Sequence, residues 1–282
     1  MDRFCRVLAA AGHLVIAPFI PSYLALVPDA RAKADFARVF AARGRWTAQA
    51  PVVFSISFGS LLLFSLAAEH ERDIAGLVVF GGYHDLRAAL RFCLTGEVPG
   101  GRRAVRDPLN QAVVLMNLLD HLDPAAQPSP SDRDALVAAW RRYVERTWGR
   151  PEMKTEGRFL AVAEEIAPSV PAPARDLFLV GVGARPGAAR LAEDALDRFD
   201  ATALDPAPYL ARINSRVDLV HGADDDVIPF EQSHALAAAL TRARTRVHVT
   251  GLYGHTGAGR PRVATLAREL YTLARVLRVL SR

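Results

Sequence analysis

The chain has 282 residues, 51% of them hydrophobic and 23% charged, which excludes an intrinsically disordered protein. Its 19 Gly and 18 Pro follow no period, which excludes a collagen-like fibre. Two cysteines, Cys5 and Cys93, are too few for a disulfide framework or a four-ligand zinc site, and they suit a reducing, cytoplasmic compartment. The net charge is +5 and rests almost wholly on arginine, since Lys33 and Lys154 are the only lysines. The arginines are spread among Asp and Glu rather than gathered in a stripe with aromatic platforms, so no nucleic-acid partner is expected.

Two uncharged runs, Val7 to Pro28 and Pro51 to Ala68, reach the length of a membrane-spanning helix. The first holds Pro18 and Pro21 in its interior, where each removes a helix hydrogen bond and clashes with the preceding turn. The second opens on β-branched and aromatic residues and then turns at Ser57 and Gly59. It reads as a buried strand, a turn and a buried helix, so no membrane span is expected. Gly12, His13 and Pro18 also break the N-terminal apolar run that a secretory signal would need.

In chain order, residues 2–12 read as a helix and His13 to Pro18 (HLVIAP) as a short buried strand. Residues 29–44 form an amphipathic helix with Phe36, Val39 and Phe40 on one face. Val52 to Ile56 is a strand, followed by a helix through Ala68, and Ile74 to Phe80 is a further strand ending at Gly81-Gly82. From 83 to 205 the pattern changes: helices fall near 108–121, 132–148, 154–166 and 187–199, with no clear strand. Alternation then resumes, with a strand at Arg216–His221, a helix at 231–241, a strand at Thr245–Thr250 and a helix at 261–280. Continuous apolar strands separated by helices predict an α/β fold, with a mostly parallel sheet covered on both faces. The middle stretch predicts a helical insertion. Within it Arg87, Phe92, Leu115, Met116, Leu119, Trp140 and Tyr143 recur at helical spacing. They would form either the insertion's own core or the roof of an apolar pocket.

The chemistry falls at three strand ends. Ser57 lies in Ser55-Ile56-Ser57-Phe58-Gly59, between a strand and a helix. A serine hydroxyl needs a base and a stabilised oxyanion to act as a nucleophile. A sharp strand-to-helix turn presents the hydroxyl, places the Phe58 backbone N–H at the oxyanion and aims the helix N-terminus at the developing charge. Such a turn crowds the backbone two residues to either side, and Ser55 and Gly59 are small enough for it. After the next-to-last strand, His221-Gly222-Ala223-Asp224-Asp225-Asp226 offers a carboxylate that could fix the tautomer of a histidine. After the last strand, His255 sits in a glycine-bounded loop. No HExxH or paired-histidine metal spacing occurs among the eight histidines.

Nucleophile, acid and histidine in that order, each after its own strand, is the order of the α/β-hydrolases. The chain resembles that family in LAAAGHLVIAP, FSISFGS, HGADDDVIP and GHTG. The resemblance implies Ser57 as nucleophile, Asp225 as acid and His255 as base, with Asp224 and Asp226 as alternatives to Asp225. It also allows an acid after the preceding strand, at Asp85. It implies a hydrolase core over 1–82 and 206–282 with a helical cap at 83–205. The activity implied is cleavage of an ester or related acyl bond in a small-molecule substrate through an acyl-enzyme, with no cofactor and no metal. Family members carry strands before LAAAGHLVIAP, and a loop among them supplies a second oxyanion donor. The expectation is therefore either that the sequence begins downstream of the true start, or that His13–Pro18 moves against Val52–Ile56. The alternative function is a hydrolase-fold binding protein impaired by the loss of half its oxyanion hole.

Overall fold

The computed structural model describes residues 2–251, so His255 and the helix expected at 261–280 lie outside the described residues. The chain opens with helix α1 (Asp2–Ala10), a single turn α2 (Pro21–Leu24) and α3 (Ala32–Ala41). Strand β1 (Val52–Ile56), α4 (Gly59–His70) and β2 (Gly76–Phe80) follow. The middle of the chain holds α5 (Leu86–Thr95), a small hairpin of β3 (Glu97–Val98) and β4 (Arg102–Arg103), α6 (Gln111–Leu118) and α7 (Pro130–Thr147). It continues through α8 (Pro151–Thr155), α9 (Phe159–Ile166), α10 (Ala172–Gly181), α11 (Ala188–Arg198) and α12 (Ala207–Leu210). Strand β5 (Arg216–Gly222), α13 (Glu231–Ala239) and β6 (Arg244–Thr250) complete it.

The main sheet runs β1-β2-β5-β6 and every pair is parallel. The fold is α/β, with a mostly parallel sheet and helices packed against it. One face buries Val53, Leu77, Val79, Val217 and Leu219 against Leu63 and Phe64 of α4 and Leu236 of α13. The other face is covered by α1: Phe4 sets its ring edge-on to Phe54 and Phe80, with centroids 5.4 Å away from each. A separate, larger cluster gathers the apolar side chains of the middle stretch and reaches the α/β part through Leu61, Val227 and Ile228. No helix among the described residues is long and apolar enough to cross a membrane.

Three sequence expectations need correction. His13–Pro18 forms no strand, and among the described residues β1 lies at the sheet's edge without it. An apolar run becomes a strand only where a neighbour accepts its backbone bonds; here Leu14 (62% exposed) and Phe19 (85%) stand in solvent instead. The middle stretch contains two helices that its periodicity did not reveal, α5 and α10, and the short β3–β4 hairpin. The helix expected at 154–166 is split, because Gly157 takes a positive φ of 66° between α8 and α9. Of the two roles open to the helical apolar set, the core is the one observed. Phe92 is buried, and Leu115, Met116, Leu119, Trp140 and Tyr143 are buried within the middle stretch's cluster. Arg87 reaches out of that set to donate to the Phe199 carbonyl at 2.8 Å.

Candidate active site

Parallel pairing brings the carboxyl ends of β1, β2, β5 and β6 to one edge of the sheet. The register Ile56↔Phe80, Phe80↔Val220 and Gly222↔Thr250 aligns them. Ser57 follows β1 at this edge and takes φ 56°, one of two non-glycine residues at positive φ among those described. A left-handed conformation costs an L-residue roughly 1–2 kcal/mol, so the surrounding structure must enforce it. The Ser57 N–H donates to the Phe80 carbonyl at 2.8 Å, tying the turn to the end of β2. The Ser57 carbonyl accepts from the Ser60 N–H at 3.1 Å and from the Ser60 hydroxyl at 2.6 Å, tying it to the first turn of α4.

Phe58 begins that helix, and α4 has no side-chain cap. Its N-terminal N–H groups and the positive end of its dipole therefore face the turn that carries Ser57. Phe58 is held from two sides. The Tyr23 hydroxyl donates to its carbonyl at 2.8 Å, and the Tyr83 ring packs on its ring at 5.5 Å. Tyr83 is itself fixed by donating to the Leu204 carbonyl at 2.6 Å. Burial pushes both tyrosine hydroxyls well above their ordinary pKa, so they act as neutral donors. Ser57 therefore stands at positive φ in a strand-to-helix turn on the carboxyl edge of the parallel sheet.

The loop after β5 separates its three aspartates. Asp224 is exposed. Asp225 is buried, and its Oδ1 accepts from the backbone N–H of Val227 at 3.0 Å and of Ile228 at 2.9 Å. Its Oδ2 stands 3.5 Å from His221 Nε2. Asp226 is half-buried and pairs with Lys154 of α8. His221, fully buried, braces the loop to the body of the fold, with Nδ1 2.6 Å from the Ser233 hydroxyl and Nε2 2.8 Å from the Ile228 carbonyl. Asp85, the carboxylate after β2, is occupied elsewhere. It caps α5 by accepting from the Ala88 N–H at 2.9 Å.

The structure places Ser57, Phe58 and Asp225 at the carboxyl edge of the sheet, and around them stand Tyr23, His221, Asp107 and Lys154, which sequence reasoning did not single out as contacts. One signal was present for Lys154: in a chain that otherwise uses arginine, its two lysines stand out, and both make defined contacts. Lys33 donates to the Tyr209 hydroxyl at 2.9 Å, and Lys154 reaches the acid loop.

No protein-family model and no curated protein matches the chain. Solved structures do show likeness to it. An esterase, RhEst1 from Rhodococcus sp. ECU1013, is 17% identical, over 89% of this chain and 73% of its own, with a TM-score of 0.40. A putative non-heme bromoperoxidase, BpoC from Mycobacterium tuberculosis H37Rv, is 17% identical over 87% and 72%, with a TM-score of 0.41. A meta-cleavage product hydrolase from Pseudomonas fluorescens IP01 is 15% identical over 87% and 70%, with a TM-score of 0.37. The chain's own parallel sheet, with helices packed against it, defines the α/β fold.

Proposed function

We propose that the protein is a serine hydrolase that cleaves an ester or related acyl bond in a small-molecule substrate. The observation that carries the reading is Ser57, held at φ 56° over the uncapped first turn of α4. In this mechanism the Ser57 hydroxyl attacks the acyl carbon while His255 takes its proton. Asp225 accepts the other ring N–H of His255, fixing the tautomer and stabilising the imidazolium. The oxyanion meets the Phe58 N–H and the helix terminus, a type of contact worth about 3 kcal/mol per donor. His255 then returns the proton to the departing alcohol. Water repeats the sequence on the acyl-enzyme and frees Ser57. The reaction uses no cofactor or metal. Residues 1–82 and 206–282 supply the catalytic core and 83–205 form the cap above it.

Among the three loop aspartates, burial and two backbone donors favour Asp225 as the acid. The test is a fluorophosphonate probe and a p-nitrophenyl ester series. The expected result is a label on Ser57 that is lost on boiling and in Ser57→Ala, together with ester turnover that Ser57→Ala and His255→Ala abolish. A protein that neither labels nor turns over any ester would overturn this reading in favour of a binding function.

A further inference from the structure

We propose that Lys154 is a positioning residue: by bridging Asp107 and Asp226 it clamps the acid loop to the helical stretch 83–205 and holds Asp225 in its working orientation. The proposal rests on the triad reading above.

Three distant parts of the chain meet here. Lys154 Nζ pairs with Asp226 Oδ2, from a residue 72 positions away, and stands 3.2 Å from Asp107 Oδ2. The Asp107 N–H also donates to the Asp226 carbonyl at 2.7 Å. Asp107 is itself immobile: it is 1% exposed, and its Oδ1 accepts from the Leu109 N–H at 2.9 Å. Asp226 is thus gripped by backbone and side chain at once, one residue from Asp225. On the far side of the loop His221 holds the Ile228 carbonyl, so Asp225 lies between two anchors, one on the sheet and one on the insertion.

The arrangement calls for a lysine. Its compact ammonium faces both carboxylates from one point, and the wider planar guanidinium of an arginine would not reproduce that geometry. Burial raises the Asp107 pKa, and it opposes the charge on Lys154 as well. The hydrogen bond to Asp226 and the attraction of both carboxylates outweigh that effect and raise the Lys154 pKa. Removing the cation would take from buried Asp107 the ammonium that offsets its desolvation, and breaking a buried pair in this way is strongly destabilising. A catalytic acid displaced by about 1 Å can cost on the order of 10²-fold in rate, so the clamp's effect falls on turnover rather than on substrate binding.

The experiment uses the full chain with Lys154→Met, Lys154→Arg and Asp226→Asn. It measures p-nitrophenyl butyrate kinetics, fluorophosphonate labelling of Ser57, and hydrogen exchange at the Val227 and Ile228 amides against Val78 and Val79 in β2. Lys154→Met is expected to lower kcat at least tenfold with KM within twofold. It should speed exchange at Val227 and Ile228 while leaving Val78 and Val79 protected. Lys154→Arg should recover part of kcat, and Asp226→Asn should reproduce the Met variant in milder form. Unchanged kcat and unchanged loop exchange in Lys154→Met would overturn the proposal. So would a loss that opens β2 to the same extent, which would make Lys154 a general stabiliser. If Lys154→Met does not fold, Asp226→Asn decides by the same two criteria. If the wild type fails to label, the hydrolase reading and the effect of Lys154 on turnover fall together, and loop exchange alone decides whether the clamp exists.

Discussion

Gly59 lies so close beneath Ser55 that a Cβ built on it would stand 3.1 Å from the Ser55 Cβ. The two residues flank Ser57 at equal distance in the chain, so this approach measures how sharply the strand folds back into the helix. A methyl group at 59 forces a shift of a few tenths of an ångström, and a branched side chain forces more. Overpacking of this kind costs about 1–3 kcal/mol. Gly59→Ala should therefore be tolerated with a reduced rate of Ser57 labelling, and Gly59→Val should lose labelling altogether. Ser55→Gly, which only opens space, should keep labelling near the wild-type rate. Labelling rate and thermal melting of the three variants check this.

The conformation of Ser57 makes a second prediction that separates stability from activity. Both Ser57→Gly and Ser57→Ala remove the hydroxyl and should abolish turnover. Alanine keeps the Cβ that a positive φ disfavours, and glycine does not. Ser57→Gly should therefore be more stable than Ser57→Ala by about 1 kcal/mol, as measured by urea unfolding. Equal stabilities would mean that the turn is not strained.

Three aspartates near the carboxyl edge should respond in three different ways. On the proposed triad, Asp225→Asn keeps the size of the side chain but loses the charge that would steady the imidazolium. Its kcat should fall by roughly 10⁴-fold, in line with loss of the acid from a serine triad. Asp224 is exposed, and Asp224→Asn should leave kcat within twofold. Asp85→Ala removes the cap from α5 and should cost about 1 kcal/mol of stability, with kcat per folded molecule unchanged. A large kcat loss in Asp85→Ala would return that residue to the role of acid.

The strands VVFSI, GLVVF and RVDLVHG were legible in the sequence because buried parallel strands are continuous apolar runs bounded by turns. HLVIAP has the same signature, but its fate depended on a partner strand that no local pattern reveals. Helix α5 carries its own start and stop, the Asp85 cap and Gly96 at φ 74°. It was missed because both signals fall where the alternation of the core stops. At the candidate site, the turn at Ser57 and the aspartate loop after β5 are local motifs, and their positions at strand ends could be read directly. The clamp of Lys154 on Asp226 spans 72 residues, and Tyr23 on Phe58 spans 35. Contacts across such distances are set by how helices pack, and spacing carries no trace of them.

Cys93 lies beneath the acid loop, and its thiol makes the last prediction. Its Sγ donates to the Val227 carbonyl at 3.2 Å, and burial, helped by the nearby charges of Asp225 and Asp107, pushes its pKa up to about 12. The thiolate is the reactive form, so Cys93 should be silent toward a disulfide reagent at pH 8 in the native protein. Half-buried Cys5 should react. One thiol should titrate in the folded state and two in denaturant. The same shift fixes the sign of a stability effect. In the unfolded chain the thiol ionises near 9, while the folded state keeps its proton to about 12. Between those values the native state binds more protons, and stability must fall as pH rises, by at most about 1.4 kcal/mol per unit from this group. Urea unfolding at pH 9, 10 and 11 should show that decline in the wild type and a shallower one in Cys93→Ala. Parallel slopes in the two proteins would show that the thiol ionises as freely in the fold as out of it.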